Sequence, residues 1–113
     1  MPTSLTGVIY RSPTVTDGVF QKALMDIMKH VPQNCSCIMT GDFNKDVSSQ
    51  PRQVQFKALE HFDQLITECT YYEGAGQGSL LDHVYTRNCD VVRSGVLNTY
   101  YSDHDPVFVQ VQH

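Results

Sequence analysis

The ten residues CSCIMTGDFN, at positions 35–44, give the clearest indication of how this sequence folds. CSCIMT (35–40) predicts a strand, which Gly41 ends. Asp42 and Asn44 follow at once, so a carboxylate and an amide stand at the C-terminal end of that strand. Gly-Asp-x-Asn is also ordinary turn chemistry, because Asp and Asn form side-chain turns and Gly takes positive φ. The surrounding chain must therefore decide between a turn and a site.

Outward from this stretch, strands and helices alternate. Short β-favouring runs predict five strands, and apolar residues at three- and four-residue spacing predict two helices. Thr16 or Asp17 can cap the first helix, and Pro51 suits the first turn of the second. The expected order is β-α-β-α-β-β-β, an α/β fold with one mixed sheet and two main helices. The strands are at 7–10, 35–40, 80–86, 91–97 and 107–111, and the helices at 19–31 and 51–65.

Length and composition restrict the class of protein. The 113 residues make one domain, and 41% hydrophobic with 18% charged residues is typical of a globular chain. No apolar run approaches the roughly 20 residues that span a bilayer, and the start MPTSLTGVIYRSP lacks the basic and apolar regions of a signal peptide. We therefore expect an intracellular protein, nuclear or cytoplasmic, with no membrane partner and with reduced cysteines.

The formal net charge of −4 argues against a protein that holds nucleic acid by charge alone. It does not argue against an enzyme that acts on phosphates. Such an enzyme needs acidic ligands for a hard cation, and the cation then supplies the positive charge.

Polar residues cluster at four strand ends. If the later strands run antiparallel to the first two, all four ends lie at one rim of the sheet, where open α/β sheets keep their sites. The residues expected to converge there are Tyr10, Asp42, Asn44, Asp82, Asp103 and His104.

The chemistry of this set suits hydrolysis of a phosphoester. Asp42 can take a proton from a water that Asn44 holds through its amide. Asp82 can accept a hydrogen bond from His104, which then donates to a developing negative charge. Asp103 can ligate a divalent cation through oxygen, as Mg²⁺ prefers.

Each part has a simpler interpretation. Asp-His before a strand is a common loop ending, and Asp82 can form a salt bridge with Arg87 or Arg93. Tyr10 is then a half-buried aromatic at the rim, and Asp105 and His83 are structural or face solvent. A zinc module is a further alternative, although the spacing of its four candidate ligands differs from paired C-x₂-C sites. Those ligands are Cys35, Cys37, Cys69 and Cys89.

Three segments carry a resemblance to a known family. TGDFNKD, LLDHVYT and YYSDHDPVFVQV resemble the C-terminal half of the endonuclease/exonuclease/phosphatase family, which includes DNase I-like nucleases and apurinic endonucleases. GVIYRSP is similar to the family's Tyr-containing strand and turn. The residues of these segments are most similar to endonuclease domains of mobile elements. The resemblance implies half of a DNase I-like four-layer α/β sandwich and Mg²⁺-dependent phosphodiester hydrolysis, with Mn²⁺ as the alternative ion and DNA as substrate.

By position, the resemblance also implies roles. Asp42 is the general acid/base, and Asn44 orients nucleophile and phosphate. Asp82 pairs with His104, which contacts the scissile phosphate. Asp103 lies in or beside the metal shell. Tyr10 contacts the phosphate or the leaving group.

The family domain is longer and has two packed sheets, and its N-terminal half supplies an Asn and a Glu that is a principal Mg²⁺ ligand. The resemblance therefore implies that residues 1–113 form a partial domain with an incomplete metal site. A sheet that lacks its partner sheet would leave an apolar face open to self-association. The alternative function is a truncated, non-catalytic remnant or binding module.

Overall fold

A computed structural model describes residues 3–74, 76–99 and 102–112; Tyr100 and Tyr101, which begin the last motif, lie outside these ranges. The described chain is a small mixed α/β domain with two sheets and one α-helix. Its elements are β1 (Ser4–Tyr10), α1 (Asp17–Met28), β2 (Ser36–Asp42), a 3₁₀ turn (Lys57–Leu59), β3 (Asp63–Gln64), β4 (Asp82–Arg87), β5 (Asp90–Val96) and β6 (Val107–Gln112).

The larger sheet has the strand order β1-β2-β4-β3, and β5 and β6 form a separate two-stranded sheet. β1 runs parallel to β2, whereas β4 runs antiparallel to both β2 and β3. The end of β2 therefore meets the start of β4, and Asp42 lies directly opposite Asp82. This pairing creates the shared rim that the sequence predicted.

The α-helix begins where its cap allows. Thr16 is the N-cap, and its hydroxyl accepts a hydrogen bond of 3.3 Å from the Val19 N–H. Phe20 and Leu24 are buried against the larger sheet. The helix ends at Met28, three residues before the predicted end. No helix in the described residues is long and apolar enough to cross a membrane.

The predicted second helix at 51–65 is wrong, and so is the arrangement of one mixed sheet with two helices. This segment forms only the short 3₁₀ turn and β3. The Gln64 side chain is the physical reason: its Oε1 accepts from the Ile66 N–H at 2.8 Å and its Nε2 donates to the Pro51 carbonyl at 2.7 Å. These bonds hold the segment extended beside β4, where a helix would have satisfied its own backbone.

Two hydrophobic cores lie on opposite faces of the larger sheet. The first packs beneath α1 and contains an aromatic group of Phe20, Phe43, Phe56, Phe62 and Tyr85. The second lies between the larger sheet and the β5–β6 hairpin and contains Val47, Ile66, Leu80 and Val84. The chain from 54 to 66 contributes to both cores, which explains why its apolar residues imitate a helical stripe without forming a helix.

Gly41 does not end β2 as the sequence predicted, because the strand continues by one residue to Asp42. The φ of Gly41 is +134°, and a Cβ at this position would lie 1.9 Å from the Ile9 carbonyl oxygen. Only glycine fits both the backbone angle and the approach to β1. Gly41 therefore determines how Asp42 leaves the strand.

Candidate active site

Three side chains converge at the rim: Asp42 from the end of β2, Asp82 from the start of β4, and His104 from the segment before β6. One ligand atom from each lies within 4.8 Å of the other two. A backbone bridge joins His104 to Tyr71, which forms a second bridge with Ser79, three residues before β4. Tertiary packing thus unites residues that are up to 62 positions apart in the sequence.

The Asp82–His104 pair is a close hydrogen bond, with 2.8 Å between His104 Nδ1 and Asp82 Oδ2. Because a carboxylate only accepts, the ring N–H at Nδ1 donates, and Nε2 is left to face the open rim. The predicted pairing of these two residues is present. Neither Arg87 nor Arg93 contacts Asp82: Arg87 donates to the Pro32 carbonyl and Arg93 to the Gln110 side chain.

Thr70 orients the Asp82 carboxylate through a hydrogen bond. It is fully buried, and its hydroxyl donates to Asp82 Oδ2 at 2.7 Å. The Thr70 hydroxyl oxygen in turn accepts from the N–H groups of Leu81 and Asp82, at 3.2 and 3.0 Å. Thr70 could not be selected from the sequence, because a lone threonine in an extended stretch has no pattern that distinguishes it.

Asp42 has one carboxylate oxygen engaged and one directed at the histidine. Its Oδ1 accepts from the Asn44 N–H at 2.9 Å, and its Oδ2 lies 3.9 Å from His104 Nε2. Asn44 has φ +48°, and its Nδ2 donates to the Arg11 carbonyl at 3.3 Å. The turn that the sequence offered as the simpler interpretation is therefore present, and it directs the second oxygen of Asp42 at His104.

Charge around His104 favours the imidazolium. Burial alone lowers the pKa of His104, but the Asp82 hydrogen bond and the negative charges of Asp82, Asp42 and Asp103 outweigh it, so the pKa lies above its ordinary value. The histidine is thereby poised to donate from Nε2 towards an anion at the rim.

The three-residue group can hold a metal ion. Two carboxylate oxygens suit Mg²⁺, which binds one or two carboxylates and keeps several waters. The imidazole nitrogen better suits a transition metal. The cysteines are free thiols, and the described residues hold no cysteine cluster with metal-binding spacing, so the zinc alternative has no geometric support.

Two predicted site residues lie beside the cluster rather than within it. The Asp103 side chain is exposed and outside the group, and its carbonyl accepts from the Tyr72 N–H at 3.0 Å. Tyr10 lies opposite Asp42 in the β1–β2 ladder, with 73% of its surface exposed. Their assigned roles in metal and phosphate binding stay predictions.

Arg11 is a second residue that could not be selected from the sequence. Its buried guanidinium donates to the Val15 carbonyl at 2.7 Å and to Asp17 at 2.8 Å, and it lies over the Phe20 ring. Its backbone N–H donates to the Asp42 carbonyl at 2.8 Å. Arg11 thereby ties the loop after β1 to the strand end that carries Asp42.

His83 and Asp105 are structural, as one alternative expected. His83 is fully buried, stacks on Phe43 and lies 2.9 Å from the Tyr85 hydroxyl through Nδ1. Asp105 is buried and accepts two hydrogen bonds from Thr99. Neither residue reaches the rim cluster.

Comparison with known proteins adds no assignment: no protein-family model matches the chain, and no curated protein matches it.

Proposed function

We propose that this chain carries the catalytic residues of a Mg²⁺-dependent phosphodiesterase, a DNA endonuclease of a mobile element in its intact form. One observation carries the proposal: Asp82 holds His104 at 2.8 Å, with Nε2 facing the second oxygen of Asp42. We further propose that the α/β fold corresponds to the C-terminal half of a DNase I-like sandwich. The motif order of the sequence supports this assignment.

The proposed proton chemistry follows from the free atoms. Asp42 Oδ2 accepts the proton of an attacking water, since Oδ1 is already hydrogen-bonded to Asn44. With 3.9 Å between Asp42 Oδ2 and His104 Nε2, one oxygen atom can lie about 2.8 Å from both. The imidazolium donates to a phosphate oxygen and stabilises the charge that develops there.

A bound divalent cation would neutralise phosphate charge and stabilise the leaving oxygen. Asp42 and Asp82 offer the carboxylate oxygens that would hold it. Asp103, exposed beside the cluster, adds negative charge that attracts such an ion. Mn²⁺ accepts the same oxygens.

A second candidate is a non-catalytic binding module. One observation favours it: the cluster offers a ligand atom from each of three residues, which together with water is enough to bind a cation without any catalytic step. In that case the rim binds a metal or phosphate without cleavage.

The first experiment is a plasmid-nicking assay on the purified chain with Mg²⁺, Mn²⁺ or chelator. We expect cation-dependent nicking that Asp42→Asn and His104→Ala each abolish, because each change removes one partner of the proton chemistry. The matched controls are Asp63→Asn and His61→Ala, which change exposed residues outside the cluster and should nick like the unaltered chain.

Three outcomes decide between the candidates. Cation-dependent nicking that only the cluster variants lose supports the endonuclease. Binding of Mn²⁺ that Asp42→Asn weakens, without nicking, supports the binding module. Nicking that survives both cluster variants contradicts the assignment of these residues.

A further inference from the structure

The outer edge of β1 is a candidate interaction surface that does not depend on the proposed chemistry. β1 stands at the end of the strand order, so nothing in the described residues pairs with its outer edge. Its sequence SLTGVIY contains no charge and no proline, and its register with β2 is unbroken. Soluble proteins usually protect an edge with lysine, proline or a bulge, because open backbone groups pair with another strand.

The bonds to β2 determine which backbone groups of β1 face outward. Ser36 N–H donates to the Thr3 carbonyl, and Arg11 N–H donates to the Asp42 carbonyl. In a parallel ladder the bonded residues alternate, so the odd-numbered residues of β1 direct both backbone groups towards β2. The even-numbered residues therefore direct theirs away from the sheet: Ser4, Thr6, Val8 and Tyr10.

We propose that a second copy of this chain pairs antiparallel with β1, across a two-fold axis at Gly7. In an antiparallel ladder, residues with outward groups bond to residues with outward groups. Only even-numbered residues can therefore face one another in bonded pairs. Centring on Gly7 uses the whole strand, with Thr6 opposite Val8 of the second copy and Ser4 opposite Tyr10 of the second copy.

The side chains suit this register. Leu5 faces Ile9 of the second copy in the closely spaced, non-bonded type of pair, which brings aliphatic side chains together. Gly7 faces itself at the axis and brings no side chain. Val8, now 82% exposed, is covered in the pair with Thr6. Cross-strand pairs of these kinds stabilise an antiparallel ladder.

A second copy fits this edge because the strand is complementary to itself and carries no charge to repel its own image. The pairing joins two four-stranded sheets into one of eight strands and leaves Asp42, Asp82 and His104 uncovered, since they lie on β2, β4 and the segment before β6. An interface of this kind is smaller than the roughly 1,200 Å² of a standard complex, so we expect association at micromolar concentrations.

The test is sedimentation velocity over a concentration series. We expect the unaltered chain to pass from monomer to dimer. Thr6→Lys/Val8→Lys places lysines opposite lysines and should leave only monomer, and Thr6→Glu/Val8→Glu should do the same with carboxylates. Both positions are exposed, so the variants should fold. An equimolar mixture should regain the dimer, because lysine then faces glutamate; this rescue excludes misfolding as the cause.

The matched control is Val92→Lys/Leu97→Lys, which adds the same two charges at apolar positions that are 53% and 54% exposed, one within β5 and one directly after it. It should still dimerise. Three results would overturn the proposal: an unaltered chain that stays monomeric, lysine variants of β1 that still dimerise, or a control that abolishes the dimer. The first would mean that a different strand, or none, covers this edge.

Discussion

Thr70→Val tests how the rim is built, because it removes one hydroxyl and nearly preserves side-chain volume. The hydroxyl donates to Asp82 and accepts from two backbone N–H groups. Losing a bond to a carboxylate costs about 1.5 kcal/mol, and each N–H left without an acceptor costs about 1 kcal/mol or more. We therefore expect the free energy of unfolding to fall by about 3.5 kcal/mol, a large share of the stability of a small domain.

Thr70→Ser is the matched variant. It keeps the oxygen and deletes one buried methyl group, which costs about 1 kcal/mol. Urea unfolding of both variants at pH 7, analysed with a common slope, measures the difference. If valine at position 70 is as stable as serine or more so, the hydroxyl does not support Asp82, and the account of how the carboxylate is held is refuted.

Three further predictions follow from the same geometry. Asp82→Asn should lower the pKa of His104, seen in an NMR titration; because this pKa is raised in the fold, the stability that the pair contributes is present below pH 6.5 and is lost as pH rises through the folded value. His83 has the opposite sign: burial lowers its pKa despite its hydrogen bonds, so the chain should lose stability as pH falls below 6.5, and His83→Gln should flatten that part of the pH profile. Gly41→Ala should destabilise the chain by about 3 kcal/mol in urea unfolding, because its Cβ meets the backbone of β1, whereas Gly18→Ala, with open space around it, should not; equal effects would contradict the role of Gly41.

The strands were predictable because their signal is local. The bounds of the predicted strands at 35–40, 80–86 and 107–111 agree with those of β2, β4 and β6 to within two residues at each end. The first helix was equally readable, because its cap and the spacing of Phe20 and Leu24 belong to one continuous segment. The segment 51–65 failed for the converse reason. Its spacing imitates a helix, but its conformation depends on Gln64 bonds and on two cores on opposite faces of the sheet.

The residues of the candidate site also differ in whether the sequence predicts them. Asp42, Asp82 and His104 could be selected from the sequence because each stands at a strand end beside other polar residues. Thr70 and Arg11 could not, since their importance lies in partners that the fold brings to them. Asp103 shows the opposite case: it adjoins His104 in the sequence, yet its side chain lies exposed outside the cluster.

From the sequence one can read the α/β class, the order of most elements and six candidates that include the three rim residues, because periodicity and strand-end position are properties of neighbouring residues. Three features become visible only in the folded chain: the strands divide into two sheets, Asp42 lies opposite Asp82, and His104 returns to both. The physical reason is that strand pairing and side-chain hydrogen bonds join residues far apart in the chain, whose meeting is determined by the packing of the whole core.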